Sequence, residues 1–189
     1  VIDAYTETGI KVTASNVTVT NFTIQNSGWG WGIELVEADG CIITRNIVTN
    51  NNEGGIRLAG SSNNIISANN ITDNAWDCGI ELTYLSIWEG YWPTVYSDNN
   101  TIIGNNITKN NYGIELSYSR FNNISRNMVT NNVKGIIIDS SHGNLLRDNN
   151  LTANSHNFGV HTWDISFSDF VHDIDASNTV DGKPIYYWI

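Results

Sequence analysis

The sequence predicts an all-β solenoid of about seven coils, each of 22–24 residues, stacked as one domain over residues 1–189. Three observations predict it. A Gly that opens stretches such as GIKV, GIEL, GIRL and GIII recurs at Gly9, Gly32, Gly55, Gly79, Gly113, Gly135 and Gly159, in steps of 23, 23, 24, 34, 22 and 24 residues. A second column, Asn before an apolar residue, keeps the same period at Asn21, Asn46, Asn70, Asn106, Asn127, Asn150 and, more loosely, Asn178. Within each unit the apolar spacing is two, the period of a strand with one buried face, and the segments are too short for helical crossovers. Such a unit buries its apolar face only by stacking on its neighbours.

Each element of the unit has a reason. In GIEL, at Gly32–Leu35, Gly79–Leu82 and Gly113–Leu116, Ile and Leu point inward, Glu outward, and Gly makes the turn. Stacking places Ile10, Ile33, Ile56, Ile80, Ile114, Ile136 and Val160 in one interior column, and Phe22, Ile47, Ile71, Ile107, Met128 and Leu151 in another. At about 4.8 Å per coil the rod is on the order of 35 Å long. Asn fills 29 positions, with 16 Gly and 2 Pro, a composition for frequent left-handed turns. Asn50, Asn74, Asn110, Asn131 and Asn154 follow the second column by four residues, and stacked Asn side chains can bond along the ladder. Seven N-x-S/T sequons occur. Those at Asn21, Asn70, Asn106 and Asn150 fall in the ladder, which leaves Asn16, Asn99 and Asn123 as the glycosylation acceptors.

Net charge is −10, which opposes nucleic acid and anionic membranes as partners. No apolar run approaches the roughly 20 residues that span a bilayer. Val1 at the start and the apolar PIYYWI at the close are expected of a piece of a longer surface protein, or of rods that self-associate end to end.

Stretches such as NNIISANNITDN, NNTIIGNNITKNNYGIELSYS and NNISRNMVTNN resemble the repeats of NosD-like proteins. Those proteins fall in the broader carbohydrate-binding and sugar-hydrolase group of right-handed, single-stranded parallel β-helices. The closing NTVDGKPIYYW is similar to the segment that follows such repeats in prokaryotic, often archaeal, surface proteins. The resemblance implies the coil architecture and an extracellular or cell-surface location, and it brings copper into consideration as a metal. The group's polysaccharide-cleaving members carry GHG, DPH or paired DD signatures, and none stands here.

The outward column reads Lys11, Glu34, Arg57, Glu81, Glu115, Ile137 and His161. Lys11 and Arg57 bracket Glu34 as a salt-bridge ladder. Glu81 over Glu115 breaks the alternation: stacked like charges splay into water, hold a cation such as Ca²⁺, or act on a sugar polymer with Arg57 as charge stabiliser. Around this column lie Trp29, Trp31, Trp76, Tyr112, Tyr84 and Tyr118. An insertion over about 83–98 carries Tyr84, Trp88, Tyr91, Trp92 and Tyr96. An insertion on a rigid solenoid, rich in flat apolar rings, is the expected platform for a glycan or a protein partner. His142, His156, His161 and His172 lie near Asp164, Asp169, Asp173 and Asp175, of which His161 and Asp164 join Glu81 and Glu115 as weak metal candidates. Cys41 and Cys78 lie in neighbouring coils and could pair. A partial coil is expected over about 171–189. The leading expectation is therefore a non-catalytic surface module that binds glycan or partner through the insertion; a polysaccharide-active enzyme and a filament subunit are the alternatives.

Overall fold

The computed structural model describes residues 1–74, 76–86, 95–163 and 166–189. Among the described residues, three sheets of nine, seven and seven strands run the length of the solenoid, parallel throughout except for the last strand, Lys183–Pro184, which pairs antiparallel with Thr179–Val180; each coil contributes one strand to each sheet in turn. Two of the three strands per coil are three residues long and one is six, as in Ile47–Thr49, Gly54–Ala59 and Ile65–Ser67. The six-residue strands form the long sheet: Trp31–Val36, Gly54–Ala59, Cys78–Thr83, Tyr112–Ser117, Lys134–Asp139 and His156–His161, preceded by the shorter Ile10–Val12. Register in it follows the repeat, with Ile10, Ile33, Ile56, Ile80, Ile114 and Ile136 paired in succession.

The last coil departs from that register. Phe158, not Val160, pairs with Ile136, and Gly159 pairs with Ile137. His161 therefore faces Asp139 and stands two residues beyond the Glu column in which it was expected. Asn157 takes the place of the earlier glycines, its carbonyl lying against Gly135.

The second interior column is also displaced in three coils. Phe22, Ile47 and Met128 are exposed, and the buried residues are Ile24, Val48, Ile71, Ile107, Val129 and Leu151. Phe22 stands level with Asn46, two residues before the buried Ile24; for Ile47 and Met128 the cause is the Asn-Asn pair of the neighbouring coils. Asn70, Asn106 and Asn150 are paired in register with Ile47 and Met128, on the outward face. Their preceding neighbours Asn69, Asn105 and Asn149 are the buried ones. A one-residue slip sends every side chain of a strand to the other face. The sequons at Asn70, Asn106 and Asn150 thus lie outside the ladder to which sequence spacing assigned them.

The true ladder is continuous. Asn46, Asn69, Asn105, Asn127 and Asn149 each donate a side-chain N–H to the amide oxygen of the next, ending on Asn178, at 2.8–3.1 Å. Asn51, Asn74, Asn110, Asn132 and Asn154 form a second ladder. Asn50 and Asn131, expected there, instead hold left-handed turns, with φ of 54° and 57°. Left-handed positions are not reserved for Asn and Gly: Arg45, Ala68, Lys109, Arg126 and Ala153 occupy them too. The ladders hold the turns so firmly that the local cost of φ > 0 is met by the surroundings.

The glycines of the first column have a different reason from the one expected. Gly79 and Gly113 do not have positive φ. A Cβ at Gly79 would lie 2.6 Å from Ile107 Cγ2 and 2.9 Å from the ladder amide of Asn110. Glycine is required there because a core methyl and a ladder side chain already occupy the space.

Candidate functional site

The bulge at each glycine gives the long sheet two outward columns. One carries Lys11, Glu34, Arg57, Glu81, Glu115 and Ile137; the other carries Cys78, Tyr112, Lys134 and His156, with Trp31 and Gly54 above them. In the first, Lys11 Nζ lies 3.1 Å and Arg57 Nη1 3.4 Å from the two oxygens of Glu34. Arg57 Nε stands 3.0 Å from Glu81 Oε2, but its N–H is poorly aimed, so this contact is an ion pair without a well-formed hydrogen bond.

Glu81 faces Glu115 in direct register. Burial pushes the Glu81 carboxyl up to about 7; Arg57 opposes the rise, and the carboxylates of Asp77 and Glu115 add to it. Glu115 is raised too, chiefly by burial, and it accepts a hydrogen bond from the Cys78 thiol at 3.1 Å. The same thiol lies 3.2 Å from Asp77 Oδ1. Burial and the surrounding carboxylates hold Cys78 protonated well above the ordinary thiol range. Donor atoms of Asp77, Cys78 and Glu115 lie within 4.8 Å of one another, the separation a metal would need, while the thiol serves as hydrogen-bond donor.

Two grooves among the described residues lie on this face. The larger, about 410 Å³, is floored by Glu115 and Ile137, flanked by Tyr112 and Lys134 on one side and by Asp139, His161 and Trp163 on the other. Lys134 Nζ donates to Tyr112 Oη at 2.6 Å and lies 4.3 Å from the ring centre. That bond holds the lysine above its ordinary pKa. Trp163, 77% exposed, is anchored by its indole N–H to Asp139 Oδ2 at 2.7 Å. The smaller groove, about 280 Å³, has Trp31, Glu53, Arg57, Trp76, Asp77 and Glu81 around it. Arg57 lies 5.8 Å from the Trp31 ring centre, and Trp76 is 75% exposed.

The aromatic residues expected around the Glu column and on the insertion divide into two groups. Trp76 and Tyr112 sit at the entry of the long sheet, beside the grooves. Tyr84, Tyr96 and Tyr118 sit about six residues further along, at its exit, roughly 20 Å away at ~3.3 Å per residue. There Tyr84 packs edge-to-face on Tyr118 at 5.2 Å, and Arg120 lies 4.2 Å over Tyr96. An antiparallel bridge between Leu85 and Val95 closes the base of the insertion. Trp88, Tyr91, Trp92 and the metal candidate Asp164 lie outside the described residues.

The histidines occupy separate places. His161 rims the larger groove. His142 packs on Phe121, and His156 faces Lys134. Asn64, Asn100, Asn122 and Asn144 form a third ladder, and His172 is buried at its end, where its Nδ1 accepts from the Asn144 N–H at 3.4 Å. Asp173 and Asp175 both bind Arg147. Cys41 and Cys78 are both buried and free, so the pairing their places in neighbouring coils allowed is not made; Cys41 lies at the entry of a different sheet. Of the glycosylation candidates, Asn16 and Asn99 are exposed and Asn123 is half-buried. Sequence reasoning passed over Glu53, Asp77, Lys134, Asp139 and Trp163 as site residues. Their only signal was position beside the glycine column or just past the strand ends.

The family described as the right-handed β-helix region matches residues 8–174. Among solved structures, the chain is similar to the periplasmic alginate epimerase AlgG. A double mutant of that protein aligns at TM-score 0.68 and 25% identity over 82% of this chain. The unsubstituted form aligns at TM-score 0.67 and 17% identity over 90%. This chain spans only 35% and 42% of those two chains. A likeness at this level shows the fold. No curated protein matches the chain by sequence.

Proposed function

The chain belongs to the right-handed β-helix family, and from that premise we propose that it is an extracellular or periplasmic polysaccharide-binding module whose ligand lies along the outward face of the long sheet. One observation carries the reading. Exposed aromatic rings, Trp76 and Trp163, stand beside two grooves whose floors are half-buried, hydrogen-bonding carboxylates, all fixed on rigid parallel strands. Rings supply flat apolar faces for sugar C–H groups, and carboxylates accept from sugar hydroxyls. Similarity to a structure named as an alginate epimerase supports polysaccharide as the ligand class. Tyr84, Tyr96 and Tyr118 lie outside the ligand path in this reading, because they are already packed on one another or on Arg120.

Affinity electrophoresis through gels cast with neutral and charged polysaccharides tests the proposal. At least one polymer should retard the protein, Trp163→Ala should reduce retardation about tenfold, and Tyr118→Ala should leave it unchanged. Migration indifferent to every polymer would overturn it.

A second reading, catalysis, is favoured by Glu81, whose carboxyl at about 7 is poised to exchange a proton near neutrality. Against it, Arg57 is already bound to both Glu34 and Glu81, so it is not free to neutralise a substrate charge. Incubation with polysaccharides, followed by assay for new reducing ends, unsaturated products or changed sugar configuration, decides between the readings.

A further inference from the structure

We propose that the groove beside Trp31 and Trp76 is a subsite for a protonated amine, and that the polymer taken by this face is an amino-sugar polysaccharide. The inference rests on the polysaccharide-binding reading and names its substrate class.

The charge around this groove is unbalanced. Glu53, Asp77 and Glu81 border it with a single cation, Arg57. That guanidinium is already ion-paired to Glu34 and Glu81, which leaves Glu53 with no cation partner among the described residues. Among the described residues, the Asp77 carboxylate receives only the Cys78 thiol. A negatively charged uronate polymer entering here would meet two uncompensated carboxylates, and like charges in a half-buried groove repel. An ammonium group supplies the missing charge.

The walls favour the same ligand. The Trp31 ring already has a cation beside it, since Arg57 lies 5.8 Å from its centre. Trp76 stands open on the groove with no such neighbour among the described residues. An amine set between the Trp76 ring and the carboxylates of Glu53 and Asp77 gains both a cation–π contact and charge-assisted hydrogen bonds. The sugar ring carrying it continues toward Tyr112 and Trp163, over the larger groove on the following coils.

Titration calorimetry with the intact chain tests this at mildly acidic pH, where amino sugars carry their proton. The probes are a β-linked glucosamine hexamer, the fully N-acetylated hexamer, an alginate oligomer with and without Ca²⁺, and a lysine-rich peptide. The glucosamine hexamer should bind at least tenfold more tightly than any other probe. Glu53→Gln, at an exposed position, should weaken it about tenfold and leave the N-acetylated hexamer unaffected, whereas Trp76→Ala should weaken both hexamers and the glucosamine hexamer more. Equal affinity for the two hexamers overturns the amine subsite and leaves the polysaccharide reading standing. Preference for calcium-free alginate or for the peptide overturns the substrate class. Binding of none overturns both proposals.

Discussion

Asn69 and Asn70 are adjacent and chemically identical, yet replacing each with Ala should have very different consequences. Asn69 is 2% exposed. Its amide oxygen accepts from the Asn46 backbone N–H at 2.9 Å and side-chain N–H at 3.1 Å. Its amide nitrogen donates to Ile43 O at 2.9 Å and Asn105 Oδ1 at 3.0 Å. Truncation strands the buried Asn46 N–H and takes a donor from two buried oxygens. At ~1–3 kcal/mol per stranded group, Asn69→Ala should cost about 3–5 kcal/mol. The Asn70 side chain points outward and, among the described residues, is linked only to Asn106, whose amide donates to it at 2.9 Å in an exposed contact. Asn70→Ala should therefore cost under about 0.5 kcal/mol. Urea unfolding followed by circular dichroism measures both, with attention to whether m stays constant, since stacked repeats can unfold in parts. Equal costs for the two variants, or a cost under about 1 kcal/mol for Asn69→Ala, would refute the ladder assignment and with it the register of the whole sheet.

Three further outcomes are expected. Glu81 has a folded pKa of about 7 against an ordinary 4.5, so the native state binds more protons between those values; the contribution is full below about 4.5 and is lost as pH rises through 7. Glu81→Gln should flatten that fall, on the order of 3 kcal/mol, in unfolding measured from pH 4 to pH 8. Gly113→Ala would set a Cβ 2.4 Å from Val129 Cγ1 and 2.6 Å from the Gly135 carbonyl, and should cost more than the ~1 kcal/mol expected of Gly104→Ala, which meets nothing within 4 Å but sits at φ +65°; thermal unfolding ranks the two. Thiol titration should find neither Cys41 nor Cys78 reactive in the native protein and both reactive in denaturant, and one reactive native thiol would contradict their burial.

The repeat was legible because stacking forces every coil to place the same residue type at the same depth. Ile33, Ile56, Ile80 and Ile114 declare the long sheet by themselves. The Asn-Asn pairs did not declare which member turns inward, because either register keeps the spacing. Trp163 and Asp139 were invisible as partners: one lies beyond the end of its strand, and their contact joins residues 24 apart. The alternation fails where Glu81 faces Glu115 in register, and the structure adds Asp77 and Cys78 beside them.

What the sequence determined by itself was the coil: its period, its parallel all-β character and the Ile column of its long sheet, all of which follow from local spacing and the demand to bury one face. What only the tertiary structure decided was which Asn of each pair is buried, why the glycines are glycine, and which charges converge on the outward face. Those depend on contacts between coils some 22–36 residues apart, where the depth of a side chain is set by its neighbours above and below and not by its own strand.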